Sequence, residues 1–183
     1  MMVGADRNTE KGRKSPRWRR WAVDLVVVIA VLGLVQWWQA RPLATGIAPP
    51  LVGMEIVGGD RLDIADLRGK PVLVHFWGTW CPVCRLMDGT IARIAEDHAV
   101  VSVAMSSGSA AEVRAYLDEG GHVFPVVLDP DGQLASRWGV VGVPASFIID
   151  ADGRIRFATR GARSGPGLRL RIWLAGFSAG EGV

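Results

Sequence analysis

The chain has 183 residues, with 21 Lys and Arg against 18 Asp and Glu and a formal net charge of +3. Seven of those basic and two of those acidic side chains fall in residues 1–20, leaving fourteen basic against sixteen acidic groups elsewhere. That balance excludes a basic, phosphate-seeking body, and nucleic acid is not an expected partner.

Residues 1–21 form a basic tail carrying Arg7, Lys11, Arg13, Lys14, Arg17, Arg19 and Arg20. Residues 22–38 follow, apolar except for Asp24 and Gln36 and unbroken from Leu25 to Val35. Seventeen helical residues rise about 25 Å, at the short end for a hydrocarbon core of about 30 Å. Trp18 and Trp21 before the stretch, and Trp37 and Trp38 after it, stand where interfacial aromatic residues sit at the two membrane surfaces. The expectation is one transmembrane helix with a cytoplasmic N-terminus and everything after it on the far side. Asp24 falls in the first turn, where snorkelling keeps a charge wet. The competing expectation is a cleaved secretory signal, whose apolar core runs about 7–15 residues. Leu25 to Val35 has that length, but Trp37 to Pro42 is a poor cleavage context. On either account the rest of the chain is exported to a compartment that tolerates disulfides.

Residues 39–50, with Pro42, Gly46, Pro49 and Pro50, read as a linker. Residues 51–178 suit one compact domain and 179–183 a short tail. Within the domain, 54–57 and 61–64 flank Gly58-Gly59-Asp60 as a hairpin. Residues 71–77 are an apolar strand. Helical spacing from Arg85 to Asp97 puts Met87, Ile91, Ile94 and Ala95 on one face. Residues 100–105 are a buried-type strand, and 110–119 a helix ended by Gly120-Gly121. A strand at 126–128 is followed by the turn Asp129-Pro130-Asp131-Gly132 and a helix at 133–138. Residues 146–150 and 154–158 alternate around Ala151-Asp152-Gly153 as a second hairpin. A last helix, 168–177, carries Leu170, Trp173, Leu174 and Phe177 at helical spacing, and Trp138 and Trp173 are expected in the core. Strands alternating with helices, then a hairpin and helix, predict an α/β fold with a mixed central sheet.

The only two cysteines are Cys81 and Cys84, in Trp80-Cys81-Pro82-Val83-Cys84. They lie where a strand ends and a helix begins, where unpaired N–H groups and the helix dipole stabilise an anion. A thiolate there has a lowered pKa, and Pro82 suits a first helical turn. Three chemistries compete for the pair. Structural zinc needs about four ligands, but no second Cys pair exists and His75, His98 and His122 are scattered. A purely structural disulfide would close a loop too short to constrain the unfolded chain much. Thiol–disulfide exchange needs what this segment supplies, so no metal and no cofactor beyond the cysteine pair is expected.

The run from Pro71 to Cys84 resembles the active-site strand and helix start of thioredoxin-fold proteins. The run from Trp138 through Val143-Pro144 to Arg154 resembles that family's cis-proline segment and following hairpin. With the leading hairpin and the apolar N-terminal stretch, the likeness narrows to membrane-tethered TlpA-like proteins. The Cys-Pro-Val-Cys version resembles the copper-sensitivity suppressor (ScsD-like) group. The resemblance covers roughly residues 48–178. It implies a thioredoxin-like fold in which Cys81 is the exposed nucleophile and Cys84 the buried resolving thiol of a redox-active disulfide. It also implies a cis peptide before Pro144 that exposes the Val143 backbone to an extended substrate strand. Trp80 and Pro82 support the site, with Trp80 on its rim and Trp77 packed behind it.

His75 stands where many relatives carry a buried acidic or amide residue. A neutral imidazole there could relay the proton of Cys84, a protonated one would favour the thiolate, and a plain core histidine would do neither. The function expected is a thiol–disulfide oxidoreductase at the bacterial inner membrane, with its catalytic domain in the periplasm. It would reduce disulfides of exported partner proteins and draw electrons from a membrane thiol-relay protein. Two alternatives stand beside it. One is an apocytochrome c reductase, although Pro144-Ala145-Ser146 departs from the Pro-Glu-Thr run of those enzymes. The other is a non-enzymatic Cu(I)-binding thiol module, since soft ligands select that metal.

Overall fold

The computed structural model describes residues 17–40, 43–51, 54–55, 57, 61–62 and 67–177. The chain divides into two compact units, residues 1–38 and 39–183. The first holds most of a helix, α1 (Arg17–Ala40), which contains no proline but whose six valines and four tryptophans give it only middling intrinsic helix propensity. Its side chains from Trp21 to Val35 are exposed, and most are Val, Leu or Ile. Among the described residues no helix is long and apolar enough to cross a membrane.

The second unit is built on a six-stranded sheet in the order β1-β8-β7-β4-β5-β6. Its strands are β1 (Gly46–Ile47), β4 (Val72–Trp77), β5 (Ala99–Met105), β6 (Val126–Asp129), β7 (Ala145–Ile149) and β8 (Arg154–Arg160). A separate antiparallel pair, β2 (Met54–Glu55) and β3 (Arg61–Leu62), is the first hairpin, with Glu55 opposite Arg61. Its turn at 58–60, like residues 56, 63 and 64, lies outside the described residues. β4 runs parallel to β5 and antiparallel to β7, so the sheet is mixed, as expected.

Four helices belong to this unit: α2 (Pro82–Ala95), α3 (Ala110–Gly120), α4 (Gln133–Arg137) and α5 (Gly165–Phe177). The period-2 alternation of β4 divides the core. Val72, Val74 and Phe76 join Leu134 and Trp138 on one face, where Phe147 meets Phe76 and Trp138 edge-on and Phe76 and Trp138 are tilted, with centroids 4.9–5.7 Å apart. Leu73 and Trp77 join Cys84, Met87, Ile91, Leu168 and Ile172 on the other. The site and the final helix therefore share one side of the sheet.

Two expectations fail here. The stretch expected as a linker is largely part of the domain. Gly46 and Ile47 pair with Ile155 and Arg154 of β8, and Leu43 and Leu51 are buried with Trp138. The Ala44 N–H donates to the Trp138 carbonyl and the Ala48 N–H to Gly153. Prolines and glycines advertise a loop, but an edge strand tolerates them because only one side of its ladder needs donors. Trp173, expected in the core, is exposed. α5 buries Leu168, Ile172 and Ala175 and turns Trp173 outward with Leu170, Leu174 and Phe177. Both sets have helical spacing, and periodicity alone does not say which faces inward.

α4 has no side-chain cap at Gly132. Instead the buried Asp129 carboxylate, on the last residue of β6, accepts from the N–H groups of Leu134 (2.9 Å) and Ala135 (2.8 Å). Asp129→Ala leaves two buried donors unpaired and should cost about 1–2 kcal/mol in urea unfolding. Asp129→Asn, which keeps one acceptor oxygen, should lose about half of that. Equal stability of all three proteins would show that water caps α4 equally well.

Candidate active site

β4 ends in two buried aromatic residues, Phe76 and Trp77, and the chain then turns so that the Cys81 N–H donates to the Gly78 carbonyl at 3.0 Å. A Cβ on Gly78 would stand 2.7 Å from the Trp80 indole nitrogen, so only glycine lets that ring fold back. The loop after β5 holds the turn from outside. The Trp80 indole donates to the Met105 carbonyl (3.1 Å), and the Thr79 N–H donates to the Ser107 hydroxyl (3.1 Å). Ser106 between them adopts the left-handed region, φ 48°. Met105 and Ser107 carry no sequence signal of this role. They reach the turn only because β5 lies parallel to β4 and ends beside it.

Cys81 is the N-cap of α2, and its sulfur accepts from the Cys84 N–H at 3.2 Å. Pro82 takes the first helical position, where a missing N–H costs nothing. The helix thus begins three residues earlier than spacing suggested and includes Cys84. The two cysteines form a disulfide, with Cα atoms 5.3 Å apart. Cys84 is fully buried and Cys81 only 4 % exposed, so the expected open nucleophile is nearly covered. The Val143 carbonyl lies 3.8 Å from the Cys81 sulfur, and the Val143–Pro144 peptide is cis. The exposed rim consists of Trp80, Val83 and Val141.

Arg85 donates to the Thr79 carbonyl (3.3 Å) and lies over the Tyr116 ring. With Trp80, Ser107, Glu112 and Tyr116 it lines an open cavity of about 450 Å³ beside the pair. Tyr116 donates to the buried Asp88 carboxylate at 2.5 Å. Burial pushes the Asp88 pKa up, and the Tyr116 hydrogen bond partly offsets that. Burial and Asp88 together raise the Tyr116 pKa, so the phenol keeps its proton.

His75 lies between Leu73 and Trp77 on β4 and faces the same side of the sheet. In register it stands between Ser102 on β5 and Ser146 on β7, and Ser146 stands opposite Thr159 on β8. A polar row therefore crosses four strands on the face that carries Cys84. Ser102 is committed elsewhere, accepting from the Trp77 indole (3.2 Å) and donating to the Pro125 carbonyl (2.8 Å). His75 Nδ1 is 3.0 Å from the Ser146 hydroxyl, while Nε2 has no partner. Desolvation lowers the His75 pKa to about 4, so the ring is neutral at pH 7. That sets aside the protonated alternative. An orphaned buried N–H is rarer than an orphaned acceptor. The favoured tautomer therefore donates from Nδ1 to Ser146 and leaves a lone pair on Nε2. Ser146 was legible as a strand residue, but its partnership needs the β4–β7 register. Among the described residues no three His, Cys, Asp or Glu side chains converge.

Comparison with known proteins adds independent findings. The family model described as Redoxin matches residues 48–168. A thioredoxin-like protein of Haemophilus influenzae is 36 % identical over 140 residues, covering 70 % of this chain and 81 % of that protein. The thiol:disulfide interchange protein DsbE of Pseudomonas aeruginosa is 40 % identical over 98 residues, 52 % of this chain and 54 % of that protein, so the chain spans about half its length. A crystal structure of a thiol:disulfide interchange protein from Chlorobium tepidum superimposes with a TM-score of 0.62 at 26 % identity. It covers 72 % of this chain and 97 % of that one.

Proposed function

The chain belongs to the redoxin family and is a thioredoxin-like protein-disulfide oxidoreductase, and from that premise we propose that it reduces disulfides of exported partner proteins through Cys81 and Cys84. The observation that carries this reading is the Cys81–Cys84 disulfide at the start of α2, beside the Val143 carbonyl. In the reduced enzyme the Cys81 thiolate attacks one sulfur of a partner disulfide and expels the other as a thiolate. Cys84, as thiolate, then attacks Cys81 in the mixed disulfide and releases the second partner sulfur. Two electrons pass to the partner, and the enzyme is left with the disulfide observed here. Cys81 is the nucleophile because Cys84 has no exposed surface at all.

The Val143 backbone supports pairing with an extended partner strand, and Trp80 and the Arg85 cavity offer contacts beyond it. The thiolate expelled in the first step is basic enough to take the Cys84 proton, and the neutral His75, on the Cys84 side of the sheet with Nε2 unpartnered, supports that transfer as a polar neighbour. Re-reduction requires a dithiol donor, which we take to be a membrane thiol-relay protein. The basic tail and the exposed apolar side chains of α1 support an anchor in the inner membrane with the domain on the periplasmic side. The Cys-Pro-Val-Cys sequence supports a place in the copper-sensitivity suppressor group. Ala145, buried where apocytochrome c reductases carry glutamate, favours general partners over apocytochrome c.

The direction of exchange is tested by equilibrium with glutathione. A reductase should sit at or below about −220 mV, whereas a value at about −180 mV or above would mark an isomerase or oxidant and overturn this direction.

A further inference from the structure

The final helix is apolar on two opposite faces, and among the described residues only one is buried. Leu168, Ile172 and Ala175 are buried, while Leu170, Trp173, Leu174 and Phe177 are exposed by 56, 59, 40 and 68 %. At about 100° per residue those four form a single stripe opposite the buried one. Arg169 and Arg171 fall on the two shoulders between the stripes. Arg169 bridges Asp97 and donates to the Arg93 carbonyl, and Arg171 donates to the Gly167 carbonyl, so both guanidinium groups are held in place. No acidic residue occurs from Arg163 to Phe177. The Trp173 and Phe177 rings meet edge-on at 4.5 Å. A contiguous patch of this kind marks a binding surface.

We propose that this outer face of α5 rests on an anionic lipid surface, with Leu170, Trp173, Leu174 and Phe177 at the acyl boundary and Arg169 and Arg171 at the headgroup phosphates. Arginines lining both margins of an aromatic stripe match the layering of a bilayer interface. Among the described residues no helix is long and apolar enough to cross a membrane, and stable attachment commonly takes two membrane contacts. The proposal rests on the anchored reading only for bringing the domain to a bilayer.

The test reconstitutes the full chain in vesicles of phosphatidylcholine with about 30 mol % phosphatidylglycerol, carrying acyl-brominated lipids that quench tryptophan. The Trp173 signal is the difference between the parent and Trp173→Phe. It should be quenched by more than about half. Quenching should fall at least about threefold in pure phosphatidylcholine, and also in the Arg169→Gln, Arg171→Gln double variant. Because Arg169 bridges Asp97, Arg171→Gln alone is measured beside it, with far-UV circular dichroism and reduction of a small disulfide as checks on folding. An unquenched Trp173 in anionic vesicles overturns the proposal, and so does equal quenching in neutral ones. Shielding from aqueous iodide without lipid quenching also overturns it and indicates a protein partner or a second copy. Carbonate extraction reports α1 separately. An extractable chain with Trp173 quenched removes the anchor and keeps α5 on lipid; a resistant chain with Trp173 unquenched does the reverse.

Discussion

Cys84→Ser should lower catalysed reduction of a protein disulfide by about a thousandfold or more, while accumulating covalent complexes through Cys81. The serine hydroxyl keeps the shape of the buried site but cannot displace a partner from the mixed disulfide. The first step therefore proceeds and the second stops. Complexes should appear on non-reducing gels, vanish with dithiothreitol, and be absent from a Cys81→Ser, Cys84→Ser double variant. Cys81→Ser alone should abolish exchange without trapping, since the remaining thiol is fully buried. A protein that used the pair only to hold Cu(I) would lose metal in Cys84→Ser and trap nothing, and that result would sink the exchange mechanism.

The second large effect concerns His75 and appears as acid sensitivity. Its pKa is about 4 in the folded protein against 6.5 in the unfolded chain. Between those values the unfolded state binds the extra proton, so stability rises with pH across the window. The contribution is complete above about pH 6.5 and lost as pH falls through 4, on the order of 3 kcal/mol for a shift of this size. His75→Gln, polar but not titratable, should flatten that part of the curve. The buried Asp88, with its raised pKa, adds a slope of opposite sign just above the usual carboxylate range. Asp97 and Glu112, lowered by hydrogen bonds from Arg169 and Ser109, act in the same direction as His75, below their ordinary carboxylate values. The difference between parent and His75→Gln is therefore the quantity to measure, by urea unfolding from pH 4 to 7. Parallel curves would show that His75 is not a buried neutral imidazole. Kinetically, His75→Gln should slow resolution of a preformed Cys81 mixed disulfide only about tenfold at pH 7, through loss of a polar neighbour and not of the base itself. Ser146→Ala should slow it less, and Ser146→Thr should restore it. A rate unchanged by His75→Gln would reduce the residue to core packing.

What could be read from residues alone was whatever depends on local spacing. The strand–turn–helix placement of Cys81 and Cys84 follows from an apolar run, a glycine turn and a proline at a helix start, all within fifteen residues. The hairpin around Asp152-Gly153 and the left-handed end of α3 at Gly121 are likewise local consequences of turn and cap chemistry. Which surface each element buries was decided only by tertiary structure. Leu170, Trp173, Leu174 and Phe177 have the same period as Leu168, Ile172 and Ala175, and packing under α2 selected the second set. The proline-rich stretch after Arg41 joined the sheet because Leu43 and Leu51 found the Trp138 face, a contact some ninety residues away in the chain. The hydrogen bond from His75 to Ser146 spans 71 residues and exists because β4 and β7 pair in one register. Spacing along a chain encodes the faces of an element, but burial of a polar group and its choice of partner are properties of the assembled sheet.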